Sequence, residues 1–130
     1  MCVFCEIAKG NIPSAKVYED DKVLAILDLS QVTKGHTLVM PKEHYDTLLD
    51  VPAETLHRMI EVSRLIAEKQ MKNLGAKGFN ILNNGFETAG QTVMHAHIHV
   101  IPRYGKDDAI EVKFNPSEKQ DLEKVAEELR

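Results

Sequence analysis

The sequence lacks the features that would place the protein in a membrane, outside the cell or on a nucleic acid. No apolar run approaches the ~20 residues of a membrane helix, and charged residues interrupt the N-terminal segment, so we expect no signal peptide. The 16 basic residues are outnumbered by 20 acidic ones, which argues against binding to duplex nucleic acid. No repeat, low-complexity tract or linker divides the chain, so residues 1–130 are predicted to form a single domain in the cytoplasm.

Cysteine is also scarce, and the only two form a C-x-x-C pair at Cys2 and Cys5. A structural disulfide is disfavoured in a protein that stays inside the cell. Three interpretations remain open from the residues alone: two reduced thiols on a short helix, a redox pair, or half of a zinc site that needs two further ligands. Histidine, by contrast, is abundant, because six of the 130 residues are His and three of them lie within five positions.

The pattern of apolar and turn residues predicts an α+β protein on a mainly antiparallel sheet, because the strand candidates do not alternate regularly with helices. A hairpin is indicated where Asp20 and Asp21 separate two short apolar runs. The predicted helices cover residues 3–8, residues 52–74 and a C-terminal segment that starts at the capping-box pattern Asn115-Pro116-Ser117-Glu118, with Pro116 at the first helical position. The predicted strands cover residues 16–19, 23–28, 36–40, 78–83, 92–102 and, as a short edge strand, 110–114.

Both longer helices carry an apolar stripe at helical spacing, which predicts that one face of each is buried in the core or in a dimer interface. In the long helix the stripe consists of Leu56, Met59, Ile60, Ile66, Ala67 and Met71. In the C-terminal helix it consists of Leu122, Val125, Ala126 and Leu129.

The predicted strand 92–102 carries His95, His97 and His99 at alternate positions. Alternate residues of a strand point to the same face, so the three rings are expected to form one row with neighbours about 7 Å apart. The outer two would then be about 13 Å apart, and one metal with Zn–N bonds of about 2.0–2.1 Å could take two neighbours but hardly all three. A row of imidazoles instead suits phosphate chemistry, because one neutral ring can attack phosphorus while its neighbours bind the oxygens or the leaving group.

Small residues and amides precede this row in the segments Asn83-Asn84-Gly85 and Ala89-Gly90-Gln91-Thr92. Glycine lets the backbone approach a ligand closely, and exposed N–H groups of such a loop can hold phosphate oxygens. Asn-Gly is also common in ordinary turns, so the loop indicates a phosphate site only because it lies beside the histidines.

Taken together, these motifs resemble the histidine triad (HIT) family, most closely its small bacterial branch of Hint type. The resemblance spans roughly residues 2–104 and rests first on His95-Ala96-His97-Ile98-His99 with the apolar pair Val100-Ile101. The other matching segments are Phe4-Cys5-Glu6-Ile7 with Ile12-Pro13, Asp28-Leu29-Ser30, the run from Gly35 to His44, and Ala89-Gly90-Gln91-Thr92. The resemblance implies a homodimer with a HIT-like fold, in which a five-stranded, mainly antiparallel sheet carries one long helix and a C-terminal helix.

The resemblance also implies a nucleotide phosphoramidase or nucleotidyl hydrolase that cleaves a bond at the α-phosphate of a purine nucleotide of AMP or GMP type. His97 would be the nucleophile that forms a nucleotidyl-histidine intermediate, and His99 would contact the phosphate. His36 and His95 would orient and polarise the row, and Asp28 would accept hydrogen bonds from the ribose hydroxyls. The remaining implied contacts are Asn84, Gly90, Gln91 and Thr92 for the phosphate or leaving group, and Phe4, Ile7, Ile26 and Leu29 for the base.

Many bacterial members of the family also carry zinc held by C-x-x-C and two histidines, and by position the ligands here are Cys2, Cys5, His44 and His95. Two thiolates and two imidazoles suit tetrahedral structural zinc. Such a site would tie the N-terminal turn to the sheet, and the implied mechanism through His97 requires no metal for catalysis.

Several alternatives remain open. The Ala-Gly-Gln-Thr loop is also similar to the branch of the family that hydrolyses dinucleoside polyphosphates. A second alternative is a nucleotide-binding scaffold or regulatory protein with incidental hydrolysis. A third is a metal-dependent hydrolase that uses His95 and His97. His99 stands where the related galactose-1-phosphate uridylyltransferases have glutamine, which favours water as the acceptor, and His57 on the long helix is expected to be a surface residue.

Overall fold

Five strands form one antiparallel sheet in the computed structural model, which describes all 130 residues and confirms the α+β class. The strands are β1 (Lys16–Glu19), β2 (Val23–Leu27), β3 (Thr37–Pro41), β4 (Gly78–Leu82) and β5 (Ile98–Arg103). Their spatial order is β1-β2-β3-β5-β4, so β1 and β4 are the edges. The helices are α1 (Val3–Ala8), α2 (Ala53–Leu74) and α3 (Leu122–Leu129), with short 3₁₀ turns at Leu48–Asp50 and Glu87–Ala89.

The sheet is covered on both faces, which explains why β2 and β3 are nearly unbroken apolar runs. On one face, Val39 and Val100 belong to the core under α2. On the other face, Leu38 packs in a smaller cluster with Phe4 of α1. Successive residues of a strand point to opposite faces, so His99, the residue before Val100, projects on the α1 side.

The predicted hairpin and the predicted end of the long helix are confirmed. In the β1–β2 hairpin, Oδ1 of Asp20 accepts hydrogen bonds from the backbone N–H groups of Lys22 and Val23, both at 2.8 Å. Helix α2 ends at Gly75, which has a left-handed φ of 75° and whose N–H donates to a carbonyl of the last turn.

The buried face of α2 differs from the predicted stripe. Ile60 and Met71 are 49% and 41% exposed, whereas Ser63 and Gln70 are buried. Polar side chains can occupy these core positions because the Ser63 hydroxyl and the Gln70 amide both donate to backbone carbonyls. Neither α2 nor any other helix has the length and apolar character needed to cross a membrane.

The structure also corrects the strand predicted at 92–102, because β5 begins only at Ile98. The N–H of Ala96 donates to the carbonyl of Tyr45 at 2.7 Å, so the chain before β5 pairs with residues beyond the end of β3 instead of extending the ladder. The first two histidines of the row therefore precede the strand. Their position relative to His99 is set by tertiary contacts and not by strand alternation.

The C-terminal predictions are partly wrong. Residues 110–114 form no strand, and α3 begins after Asp121 instead of at the capping box predicted for 115–118. The local reason is that the side chain of Asp121 accepts a hydrogen bond from the N–H of Lys124 at 3.3 Å and so caps the helix there.

The apolar stripe of α3 exists but has no partner within the chain. Leu122 and Leu129 are 79% and 83% exposed, and Phe114 in the preceding segment is 91% exposed. The buried clusters on the two faces of the sheet are formed without α3, because no residue of that helix belongs to either of them.

Candidate functional site

The ring of His97 is held by one hydrogen bond and two ring contacts. Its Nδ1 lies 2.7 Å from the backbone carbonyl oxygen of His95 and donates to it. The rings of Phe4 and His99 each approach it edge-on, with centroid distances of 5.1 Å. Because Nδ1 carries the proton, Nε2 keeps a free lone pair and is the nucleophilic atom of the ring.

A second set of polar contacts joins His99 to Asp28 through His36. Nε2 of His36 lies 2.9 Å from Nδ1 of His99 and 3.5 Å from a carboxylate oxygen of Asp28. Nδ1 of His36 faces the backbone N–H of Val32 at 3.5 Å and accepts from it. This pattern assigns the proton of a neutral His36 to Nε2, which donates to His99, and it assigns the proton of His99 to its own Nε2.

Burial keeps both imidazoles of this relay neutral. Burial, reinforced by the neighbouring His97 and His36, lowers the pKa of His99 to about 4. Burial also lowers the pKa of His36, although the Asp28 carboxylate opposes it. At neutral pH the relay therefore presents a neutral N–H donor, on Nε2 of His99.

The low pKa of His99 predicts a fold that loses stability in acid. The ordinary histidine pKa of 6.5 applies to the unfolded chain, whereas His99 titrates at about 4 in the folded protein. Between these values the unfolded state binds more protons, so the free energy of unfolding should fall as the pH drops from 6.5 towards 4. The expected contribution is on the order of 1–2 kcal/mol, because solvent screens a partly exposed ring.

Denaturant unfolding of the wild type and of a His99→Asn variant, at about pH 7.5 and about pH 4.5, measures this contribution. The variant should lose less stability on acidification. Because every other acid-sensitive group is common to both proteins, equal losses would contradict the assignment.

Four metal-binding side chains meet at the N-terminus of α1, namely Cys2, Cys5, His44 and His95, with ligand atoms all within 4.8 Å of one another. The sulfur of Cys2 lies 3.4 Å from Nδ1 of His95. The sulfur of Cys5 lies 3.3 Å from Nδ1 of His44 and 3.5 Å from Nδ1 of His95. Tetrahedral zinc with the usual bond lengths requires an S···N separation of about 3.6 Å, so the residues present fit a zinc ion.

Hydrogen bonds on the far side of the two rings also suit metal ligation. Nε2 of His95 donates to the carbonyl of Pro41 at 2.8 Å, and Nε2 of His44 donates to a carboxylate oxygen of Asp46 at 2.9 Å. Each bond places the ring proton on Nε2 and leaves the Nδ1 lone pair facing the thiols.

The two thiols differ in acidity. Burial opposes ionisation of Cys2, but hydrogen bonds from Cys5 outweigh it and lower the Cys2 pKa. Burial and the neighbouring Cys2 raise the pKa of Cys5. A cation beside the two sulfurs would favour ionisation of both.

The group formed by Asp28, His36 and His99 has a different geometry, although its three ligand atoms also lie within 4.8 Å of one another. Two imidazole nitrogens on one tetrahedral zinc would be about 3.3 Å apart. The observed 2.9 Å between the rings is the distance of an N–H···N hydrogen bond, so this group fits a relay and not a metal site. His95 and His97 cannot bind one metal together, because both ring nitrogens of His95 are already used. Nδ1 faces the thiols, and Nε2 donates to the Pro41 carbonyl.

The residues implied to contact a base are divided between the core and the surface. Phe4, Ile7 and Ile26 are buried in the cluster on the α1 side of the sheet. Leu29 is fully exposed, at 100% of its surface. The first three therefore support the site from beneath, and Leu29 is the side chain that projects into solvent.

The loop before β5 brings two of the implied phosphate contacts together. Gly90 has a φ of 96°, and a Cβ atom built on it would lie 3.6 Å from the Asn84 amide nitrogen. Thr92, two residues after Gly90, is exposed to solvent. The backbone at Gly90 is thus in a conformation that favours glycine, next to a polar side chain.

Gln91 occupies a different environment from these neighbours, because only 4% of its surface is exposed. Its Oε1 accepts from the N–H of Phe86, and its Nε2 donates to the carbonyls of Asp46 and Val93. Both donors of the amide are used inside the protein, so Gln91 braces the loop and does not face solvent.

The structure adds a polar residue that the sequence analysis did not select as a site residue. Nδ2 of Asn83 donates to the backbone carbonyl of His97 at 2.9 Å. The sequence shows two adjacent asparagines at this point, Asn83 and Asn84, and only the register of β4 against β5 decides which of them reaches His97.

Comparison with known proteins gives a consistent assignment. Residues 9–106 match the family model described as the HIT domain. An uncharacterized HIT-like protein of Methanocaldococcus jannaschii is 45% identical over 130 residues, which cover all of this chain and 99% of that protein. An adenylylsulfatase of Arabidopsis thaliana is 43% identical over 106 residues, which cover 82% of this chain and 54% of that protein.

Solved structures give the same result. A HIT family protein from Bacillus subtilis has a TM-score of 0.91 and 43% identity, with 98% of this chain and 94% of the other covered. A zinc-bound histidine triad family protein from Mycobacterium smegmatis has a TM-score of 0.80 and 43% identity, with 89% and 84% covered.

Proposed function

Because the chain belongs to the histidine triad (HIT) family, we propose that it is a nucleotide hydrolase acting at the α-phosphate of a purine nucleotide. The observation that carries the proposal is the constrained ring of His97, whose free Nε2 stands beside the neutral relay of His36 and His99. We propose further that residues 1–130 form one HIT domain.

In the first step, Nε2 of His97 attacks the α-phosphorus, and the leaving group departs with the bonding electron pair and takes up a proton. The ring becomes cationic while a P–N bond joins it to the nucleotide, and the His95 carbonyl stabilises that charge through Nδ1–H. In the second step, water attacks the same phosphorus and releases a proton to solvent, the P–N electrons return to Nε2, and the nucleotide is released. This covalent route divides one difficult displacement into two easier ones.

The relay stabilises the charge that develops on the phosphate. His99 donates its Nε2–H to a non-bridging oxygen, and His36 strengthens that donor by hydrogen bonding to the other nitrogen of the ring. One oxygen of Asp28 accepts from the backbone N–H of Ser30 at 2.8 Å, and the carboxylate has further lone pairs for the ribose hydroxyls.

The surrounding residues hold the rest of the nucleotide. Asn84, Gly90 and Thr92 line the phosphate and leaving-group side, and Gln91 keeps their loop in shape from inside. The base lies against Leu29, over the buried side chains of Phe4, Ile7 and Ile26.

We assign zinc to the cluster of Cys2, Cys5, His44 and His95, as a structural ion. When bound, zinc supplies the positive charge that holds two thiolates and two neutral imidazoles together. It would link α1 to the segment after β3 and to the bend before β5. The zinc-bound relative from Mycobacterium smegmatis supports this assignment.

We also propose a homodimer, because apolar surface remains exposed on the edge strand β4, on the outer side of α2 and along α3. Phe79 and Ile60 are 46% and 49% exposed, and Leu122 and Leu129 of α3 are 79% and 83% exposed. Exposed apolar side chains at helical spacing on a terminal helix suit burial against a second copy.

Charged residues on the apolar face of α3 should weaken the dimer. A Leu122→Asp/Leu129→Asp variant is expected to raise the dimer dissociation constant at least about tenfold, because burying one leucine contributes roughly 1.5–3 kcal/mol. Analytical ultracentrifugation over a concentration series measures the dimer dissociation constant. The matched control is Lys124→Ala on the same helix, and an unchanged constant in the double variant would rule out α3 as part of the interface.

A substrate panel with trapping tests the function itself. The panel contains adenylyl sulfate, an adenosine phosphoramidate, an aminoacyl adenylate and a dinucleoside polyphosphate. The relative named as an adenylylsulfatase supports including the first of these. We expect turnover of at least one compound and, after rapid quenching in alkali, a nucleotide adduct located on His97 by mass spectrometry. Binding of AMP with no turnover and no adduct would favour the nucleotide-binding scaffold instead.

A further inference from the structure

We propose that Gln70 of α2 is a positioning residue, which sets the spacing of the rings in the relay of His36 and His99 from the opposite face of the sheet. Its side-chain amide does so by joining the backbone carbonyls of Gly35 and Val100. The structural half of this inference stands on the geometry alone. Its kinetic half rests on the proposed function, in which the relay stabilises charge on the phosphate.

The amide of Gln70 is buried directly behind the relay. Its Nε2 donates to the carbonyl of Gly35 at 3.0 Å and to the carbonyl of Val100 at 3.1 Å. Gly35 is the residue before His36, and Val100 is the residue after His99. One NH₂ group therefore joins the backbone beside one ring of the relay to the backbone beside the other.

The β3–β5 ladder ends just before it reaches the relay. Its last pair at this end is Thr37↔Val100, so His36 lies outside the ladder. The backbone groups of His36 also bond away from β5, because its N–H donates to Thr33 at 3.1 Å and its carbonyl accepts from Asp28 at 3.0 Å. No ladder hydrogen bond thus sets the distance from this backbone to β5, and a side chain from α2 supplies the link.

Two other contacts hold the loop before β3 in place. Gly35 has a φ of 101°, and a Cβ atom built on it would lie 2.5 Å from Cδ1 of Leu74, so a glycine lets this loop approach the end of α2 closely. The hydroxyl of Thr33 donates to the carbonyl of Pro102 in β5 at 2.6 Å. Because these contacts remain when the Gln70 amide is removed, we expect the relay to shift while the loop stays attached.

Stability alone does not account for an amide at this position. Oε1 of Gln70 is buried without a hydrogen-bond partner, and an unpaired acceptor costs free energy that offsets the two donated bonds. Methionine has nearly the same length but neither the donor nor the unpaired acceptor. The carbonyl of Gly35 would keep a partner, because the Thr37 hydroxyl donates to it at 2.7 Å. Replacing Gln70 with methionine should therefore affect the relay more than it affects unfolding.

The kinetic test compares Gln70→Met with the wild type, as full-length, zinc-loaded protein, on the most active compound of the panel. We expect kcat to fall roughly tenfold while KM stays within about threefold, because the relay acts on charge that develops in the transition state. The matched control is Ser63→Ala, which removes another buried hydrogen bond of α2, from the Ser63 hydroxyl to the Met59 carbonyl. It should change neither constant.

Gln70→Leu is the second variant, for the case that methionine packs poorly at this position. Zinc content and the thermal midpoint show whether each protein is folded. We expect both variants to unfold within a few degrees of the wild type, since each loses the donated bonds and the unpaired acceptor together.

An NMR measurement reads the relay directly. The N–H···N bond between Nε2 of His36 and Nδ1 of His99 transmits a scalar coupling between the two nitrogens, and it is the only hydrogen bond between two histidine rings in the structure. In substrate-free protein labelled with ¹⁵N at histidine, this coupling should be present in the wild type and in Ser63→Ala. It should be lost or clearly smaller in both Gln70 variants, because it falls steeply with the N···N distance.

The two readouts separate the possible failures. A coupling that is absent from the wild type, or unchanged in both Gln70 variants, overturns the proposal. An equal loss in Ser63→Ala shows that the relay responds to any lost hydrogen bond of α2 and overturns the specific role of Gln70. A reduced coupling with an unchanged kcat overturns the kinetic half and leaves the proposed function intact.

A failure of the proposed function is recognised separately. If the wild type turns over no substrate and forms no adduct, that function fails and the kinetic half fails with it, whereas the coupling still decides the structural half. A reduced coupling together with a lower kcat and a nearly constant KM supports both halves.

Discussion

Replacing His97 with alanine is expected to reduce turnover of the protein's nucleotide substrate by roughly 10⁴-fold or more, as removal of a covalent nucleophile does in other enzymes. Nε2 of His97 is the free imidazole nitrogen, because its Nδ1–H is held by the His95 carbonyl. His99 cannot replace it, since Nδ1 of His99 accepts from His36 and its Nε2 carries the proton. Steady-state assays on the most active compound of the panel measure the loss.

The nucleotide adduct should also disappear: none should form on the His97→Ala protein or on the more conservative His97→Asn protein. The control is His57→Ala, an exposed histidine on α2 with no place in the site, and it should keep wild-type turnover. Zinc content and thermal unfolding show whether each variant is folded. Substantial turnover by a folded His97→Ala protein would falsify the covalent mechanism.

Removing zinc is expected to destabilise the protein strongly without abolishing catalysis. A ligand that binds only the folded state at a thousand times its dissociation constant contributes about 4 kcal/mol, which for a chain of this length corresponds to a fall of roughly 10–15 °C in Tm. The Cys2→Ser/Cys5→Ser variant and the chelator-treated wild type should show this fall in calorimetry. Elemental analysis of the untreated wild type should find one zinc per chain.

Catalysis should persist in the metal-free protein at temperatures where it remains folded, with kcat within about a few-fold of the zinc-loaded value, because the proposed covalent mechanism through His97 requires no metal. His57→Ala serves again as the control and should retain its zinc. A double Cys variant with unchanged Tm and unchanged metal content would show that the cluster holds no zinc. A loss of kcat as large as that of His97→Ala, in chelated but folded protein, would instead make the metal catalytic.

Local chemistry explains which elements could be predicted from the sequence. Asp20 caps its own hairpin and Gly75 adopts a left-handed φ, and both effects involve only residues close in the chain. The long helix and the apolar strands followed from periodicity. The start of β5 could not be predicted in this way, because alternation continues from 92 to 97 while the backbone there pairs with Tyr45, which is distant in sequence.

The same distinction applies to the site. The sequence pointed to His97 and His99, and to Cys2 and Cys5, because close spacing of reactive residues is visible without a structure. It did not show the buried role of Gln91, whose donors are taken by Asp46 and Val93, since the apparent polarity of a loop residue does not reveal which way its amide turns.

By itself, the sequence determined which residues stand out as candidates for the two centres: three closely spaced histidines and a pair of thiols in need of two more ligands. Only the tertiary structure decided how these residues are divided. It turned His95 away from the row towards the thiols and joined His99 to His36, and it brought Asn83 beneath His97. The physical reason is that hydrogen-bond direction and burial, which set tautomers and pKa values, depend on neighbours that only folding brings together.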